Sequence, residues 1–444
     1  MAGRVDAGER QRLRTLPGAA ALALQRDPLG FFSRLAGRRQ PAPFRLGPFR
    51  FWLVATPELA EQVYVVRHRS LEKGLAMQRA RVLLGNGLLT SAEPLHLRQR
   101  RTLQPAFHAA HVPRYAEAIA GEAVTLRESW RDGQVVDLSE EMSRLALHAI
   151  APTLVSARID ADDADELIAA VDAAVRSFDP VTVALAPALL RLPLRRTRRF
   201  LEARARLDTV IGRLIAARRG SPTAADDALS LLLVDGASDA ALIRDELVTL
   251  LLAGYETVAH ALAWTFHLLA ENPSAEERLR AELSSVLGDR APGAADVPRL
   301  HWTRQVVAES LRLYPPSWIN SRRALEDFEL GGERIRRGDN VVVVVYLVHR
   351  DPRHWPDPER FDPERFAPGA ERGRHRRAYV PFGAGPRRCI GRDFAWLEST
   401  LVVATLAQSW RAHRVGDGPV RVAPEFTLRP KGGLPMRLER RAVL

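Results

Sequence analysis

The chain has 444 residues, 46% of them hydrophobic, which is enough apolar material for a sizeable core. Its net charge of +12 comes almost wholly from arginine, with lysine only at Lys73 and Lys431; the basic residues are dispersed among acids, without a basic helix carrying interleaved aromatics, which argues against nucleic acid as a partner. One cysteine excludes an intramolecular disulfide and any need for an oxidising compartment.

The first residues, to about residue 20, read as a loosely ordered lead. Their apolar stretch from Pro17 to Leu24 is short and follows mixed charge, which is no signal peptide. Lacking a run that approaches the ~20 apolar residues needed to span a bilayer, the chain is expected to have no transmembrane anchor and to be cytoplasmic and bacterial in type. Pro43 to Val54 alternates around Gly47-Pro48 and predicts a small hairpin. Beyond it, helical periodicity dominates. Asp239 to Glu271 is the longest helical pattern, stopped by Asn272-Pro273. A further helix is predicted over about Trp302 to Leu313, a strand over Val341 to Tyr346, an irregular Pro-rich stretch over His349 to Phe366 and a last helix over about Arg392 to Trp410. Without repeats or a dividing linker, residues 1–444 read as one mainly α domain with a minor β part.

Cys389 lies in Phe382-Gly-Ala-Gly-Pro-Arg-Arg-Cys-Ile-Gly391. Glycines allow a tight loop that approaches a flat cofactor closely, and Arg387 and Arg388 favour thiolate over thiol. The bland alternative, a buried structural cysteine, fits these surroundings poorly. In the long helix, Ala253-Gly254-Tyr255-Glu256-Thr257 places an acid and a hydroxyl at a buried centre, where they need partners or a function. The same residues also suit a simple kink, since Thr bonds back to a carbonyl one turn earlier. Glu309 and Arg312 share a helix face and pair at i, i+3. His96 and Arg100, at i, i+4, form either a solvated basic patch or a joint anion site.

These motifs together resemble the cytochrome P450 family: Phe-x-x-Gly-x-Arg-x-Cys-x-Gly around Cys389, Ala-Gly-x-Glu-Thr at 253–257, Glu-x-x-Arg at 309–312 before Pro315-Pro316, and Pro363-Glu-Arg-Phe366. The resemblance covers essentially the whole chain. It implies a P450 fold with the long helix over haem b, Cys389 as the axial iron ligand, and Phe382, Gly383, Arg387 and Gly391 shaping the loop beneath. Ala253 and Gly254 would form the oxygen-binding notch, with Thr257 bonding the bound oxygen and Glu256 helping to deliver protons. Glu309, Arg312 and Arg365 would form a buried structural network. His96, Arg100, Arg387 and Arg322, with Arg323 as the alternative to Arg322, would meet the haem propionates.

The activity so implied is a monooxygenase that inserts one atom of O₂ into a lipophilic small molecule, such as a terpenoid or another natural-product scaffold. Peroxide-using or hydroperoxide-rearranging relatives typically lose the acid–Thr pair, and a non-catalytic haem protein would not need it. The pocket is expected to be lined from Leu75–Leu89, Phe178–Leu194, Leu251–Ala253, Ser317–Asn320 and Gly433-Leu434. A single cysteine cannot hold an iron–sulfur cluster, so electrons are expected from a separate ferredoxin and its reductase. The basic stretch Arg372–Arg377, with Arg387 and Arg388, is the expected docking face.

Overall fold

The structure, a computed structural model, describes residues 19–37, 40–154, 161–177, 195–220, 227–234 and 239–441. The expected lead, apart from its last two residues, and the proposed pocket segment Phe178–Leu194 lie outside these.

Two short helices, α1 (Ala19–Arg26) and α2 (Pro28–Ala36), precede the hairpin of β1 (Ala42–Leu46) and β2 (Phe49–Val54). The hairpin forms where the alternation predicts it. Gly47, at φ 57°, makes its turn, and Phe44 stacks on Phe51 with centroids 5.1 Å apart. After α3 (Pro57–Glu61), the sheet grows to the order β1-β2-β8-β5-β3, with β3 at Leu71–Lys73, β5 at Asn320–Ala324 and β8 at Asn340–Val343, while β6 (Phe328–Leu330) and β7 (Glu333–Ile335) pair as a separate hairpin.

The valine run stops being a strand earlier than predicted. Val344 still donates to Val54 O, but Val345–Val348 closes a helical turn (α14) through Val348 N to Val344 O. Val341 to Val345 and Val348 are all fully or nearly fully buried, and in such a run apolar periodicity does not separate strand from turn.

The helical body contains α4 (Leu75–Leu84), α5 (Leu95–Leu103), α6 (Ala116–Ser129), α7 (Leu138–Leu154), α8 (Ala161–Ser177), α9 (Arg195–Gly220), α10 (Ala228–Val234), α11 (Ala240–Glu271), α12 (Pro273–Leu287), α13 (His301–Leu313) and α15 (Arg392–Ser409). Asp239 caps α11 by accepting from Ala241 N, and Pro273 begins the next helix, so both ends fall where the sequence signals them. Contrary to the expectation, α11 is long and apolar enough to cross a bilayer. However, 83% of its most apolar stretch is buried inside the protein, with α7 packed along it. Trp410, expected to end the last helix, instead begins β9 (Trp410–Arg414), which pairs with β12 (Pro435–Arg440) beside β4 (Val135–Asp137). The hairpin of β10 (Val422–Pro424) and β11 (Leu428–Pro430) lies against α11, and Trp264 donates to Leu428 O across that contact at 2.9 Å.

Candidate functional site

The cysteine loop folds back on itself, Cys389 N donating to Phe382 O at 2.9 Å. Gly383 and Gly385 both take positive φ. A Cβ on Gly385 would lie 2.0 Å from Tyr64 O, so only glycine lets the loop seat on the turn before β3. Cys389 is exposed, yet burial by surrounding protein is the largest influence on its thiol and pushes it up from 9.0. The Gly391 N–H and then Arg100, Arg388 and Arg392 oppose that rise. A metal cation on the sulfur would deprotonate it outright.

Beside the loop lies a cluster of cations. Arg387 donates to Ser91 O (3.0 Å) and to Glu93 Oε1 (3.2 Å) and is held down to about 10, first by burial. His96 is held down to about 4 by burial and then by Arg387, with its Nδ1 2.8 Å from Glu93 Oε1. Arg100 donates to Arg388 O at 2.7 Å, fastening α5 to the loop. Arg322 is buried and makes no ion pair among the described residues; its guanidinium bonds its own Ser321 O and lies over the Tyr64 ring. Strand alternation sends Arg323 to the other face, and it is absent from the groups that act on this cluster.

Sequence reasoning missed two members of the cluster, Lys73 and Glu93. Lys73 keeps part of its surface exposed, yet the protein packed around it is the largest influence and drives it well below its ordinary value, with Arg322 and Arg387 adding to the effect. One exposed carboxylate faces Arg100, Arg322 and Arg387, with His96 held neutral beside them, which leaves excess positive charge in a partly desolvated place. Such a site calls for a polyanion, and two propionates on a flat macrocycle match it. The residues present therefore fit haem.

On α11 nearly every position between Ile243 and Leu269 is buried. Between residues 246 and 269 only Ala253, Gly254 and Thr257 keep partial exposure; these stand at i, i+1 and i+4, one contiguous notch. Thr257 Oγ1 donates to Ala253 O at 2.7 Å, holding its hydroxyl at that notch. What Gly254 admits is protein: a Cβ there would lie 1.7 Å from Ile150 Cδ1 of α7. Glu256 is buried, and its Oε1 accepts from Thr427 Oγ1 at 2.9 Å.

Glu309 and Arg312 are fully buried and pair through two bonds of 2.7 Å. Arg312 also donates to the carbonyls of His349, Pro358 and Arg360, while Glu309 accepts from Asp362 N at 3.0 Å and lies 3.4 Å from Arg365 Nε. The expected three-member network is thus assembled, and it staples the irregular stretch before the cysteine loop.

The expected docking stretch and several expected pocket segments carry contacts within the protein. The basic stretch is engaged internally: Arg376, Arg377 and His375 all pair with Glu61, and Arg374 lies 4.0 Å over the Trp355 ring. Trp318 and Leu434, placed among the pocket-lining segments, join the core, Trp318 against Phe32 and bonded to Glu425 O. The segment at residues 85–89 is fastened to the start of α11, Asn86 N to Asp245 Oδ2 at 2.7 Å and Leu88 N to Glu246 Oε2 at 2.9 Å.

The family model described as "Cytochrome P450" matches residues 28–434. The chain is 39% identical to "Cyclooctatin synthase" of Streptomyces melanosporofaciens, covering 92% of this chain and 90% of that protein. To "Cyclooctat-9-en-7-ol 5-monooxygenase" of the same organism it is 38% identical, covering 96% and 95%. To "Pentalenene oxygenase" of Streptomyces avermitilis it is 35% identical, covering 96% and 97%. The solved cytochrome P450DA haem domain superposes with a TM-score of 0.83 at 26% identity, over 97% of this chain and 95% of that one.

Proposed function

Since the chain belongs to the cytochrome P450 family and is a monooxygenase of it, we propose that it oxygenates a lipophilic cyclic terpenoid, using haem b bound through Cys389 and electrons from a separate ferredoxin and its reductase. The observation that carries the substrate class is likeness, over nine-tenths or more of both chains, to relatives that act on terpenoids.

Haem bound through a thiolate supplies the oxygen chemistry, the sulfur pushing electron density that favours O–O cleavage. The chain's own residues do the rest. Cys389 presents the sulfur from a loop that Arg100 and the glycines hold in place. Arg322 and Arg387, joined by Lys73 and with His96 and Arg100 beside them, would hold the propionates. Thr257 offers a hydroxyl at the notch, and Glu256 stands next to it in sequence as the acid that passes protons. The apolar length of α11 keeps bulk water from the reacting centre.

The test is reconstitution with a surrogate ferredoxin and reductase against cyclic sesquiterpenes and diterpenes, with straight-chain fatty acids as comparison. We expect a terpenoid product heavier by one oxygen atom, and products from the fatty acids alone would overturn the substrate class. For the ligand, Cys389→Ser is expected to abolish the long-wavelength band of a thiolate-bound ferrous–CO complex. As the chain has no other cysteine, survival of that band would refute the assignment.

A further inference from the structure

Glu256 does not stand alone in its buried setting. Thr427 Oγ1, from the β10–β11 hairpin, lies 2.9 Å from Glu256 Oε1 and 3.0 Å from His260 Nδ1. His260 is one helical turn beyond Glu256 on the same face of α11, and all three residues are buried. A threonine hydroxyl has one proton to donate and lone pairs to accept with. With Glu256 ionised, the directions are settled: Thr427 donates to Glu256, and His260 Nδ1–H donates to Thr427.

We infer that His260 and Thr427 form a proton line that reloads Glu256, so that the acid is fed from the β10–β11 side of α11. In the step, an imidazolium at His260 passes its Nδ1 proton to Thr427 Oγ1, which releases its own proton to Glu256 Oε1. The O–H bond at Thr427 breaks and re-forms, and His260 is left neutral with its proton on Nε2. Glu256 ends as the carboxylic acid, and no electrons move. The hydrogen bonds then run in the reverse direction, Thr427 donating to Nδ1, which suits a hydroxyl free to rotate. The titratable ring, the hydroxyl and the carboxylate stand in unbroken series, the order a proton needs to travel. The inference rests on the reading of Glu256 as the proton-passing acid.

The experiment compares Glu256→Gln, Thr427→Val, Thr427→Ser and His260→Gln in the haem-loaded, reconstituted enzyme, following product and hydrogen peroxide per NADPH. Thr427→Val and His260→Gln should each lower product per NADPH by about tenfold and divert electrons to peroxide, less than the roughly 10²–10⁴ that loss of general acid catalysis removes. Thr427→Ser, which keeps the hydroxyl, should restore coupling. A second readout needs no turnover. In nitrogen-labelled apoprotein, the His260 resonance, identified by its loss in His260→Gln, should shift in Thr427→Val and stay in Thr427→Ser. If Glu256→Gln uncouples while Thr427→Val and His260→Gln remain fully coupled, the proton line is refuted and the role of Glu256 stands. If Glu256→Gln itself leaves coupling unchanged, the underlying reading fails and the line fails with it.

Discussion

Lys73 and Arg322 stand directly opposite each other across the antiparallel pair of β3 and β5. Like charges so opposed destabilise a sheet, and burial makes it worse, driving Lys73 well below its ordinary 10.5 and lowering Arg322 as well. The polypeptide holds this repulsion where an anionic cofactor would relieve it.

Lys73→Met should therefore act with opposite signs on apoprotein and haem-loaded protein. A lysine whose folded pKa is depressed binds its proton more readily when unfolded, so wild-type apoprotein should gain stability as pH rises from that lowered value toward 10.5. The variant should lack this rise and be the more stable apoprotein at neutral pH, the difference vanishing near 10.5. The loaded variant should lose haem faster to an excess of apomyoglobin. Equal apoprotein melting curves across that range would show that Lys73 is solvated.

Thr257→Ala should fold, bind haem and bind substrate normally while losing coupling. The hydroxyl, bonded to Ala253 O, lies at the one partly open notch of a buried helix. Its contribution falls on the bond-breaking transition state and leaves ground-state binding unchanged. Product per NADPH is the readout, and an unchanged ratio would leave Thr257 as a kink-former.

Glu309→Ala should give protein that fails to fold or to retain haem. Arg312 would keep its carbonyl partners but lose its only buried counter-charge among the described residues, a change that costs about 3–5 kcal/mol. Soluble Glu309→Ala with full haem content and an unshifted melting temperature would contradict this. Glu309→Gln, isosteric and able to accept from Asp362 N, should be the milder variant.

Salt dependence of reduction should map to Arg98, Arg101 and Arg388. These are exposed and make no ion pair among the described residues, and the Arg100–Arg388 bond brings their segments together. Charge reversal at these three should slow reduction by an acidic ferredoxin, most at low salt, because screening sets in within about 8 Å at physiological ionic strength. Changing Arg376 and Arg377 should instead disturb the local fold through Glu61. Reduction that slows only in the latter variants would return the docking face to residues 372–377.

The cysteine loop, the acid–hydroxyl pair and the Glu309–Arg312 pairing are all legible from local spacing. Each is written within ten residues, where spacing alone dictates which side chains share a turn or a helix face. The ends of α11 are legible too, because an Asp cap and a proline stop act locally. Which cations matter depends instead on long-range packing. Lys73 meets Arg322 through strand pairing across about 250 positions, and Thr427 reaches Glu256 because a C-terminal hairpin packs on α11. In the other direction, Glu61 pairs with three residues of a stretch more than 300 positions away that reads as a free basic face. Charge along a chain shows how many ions there are; burial and partners, which depend on packing, settle which of them remain uncompensated.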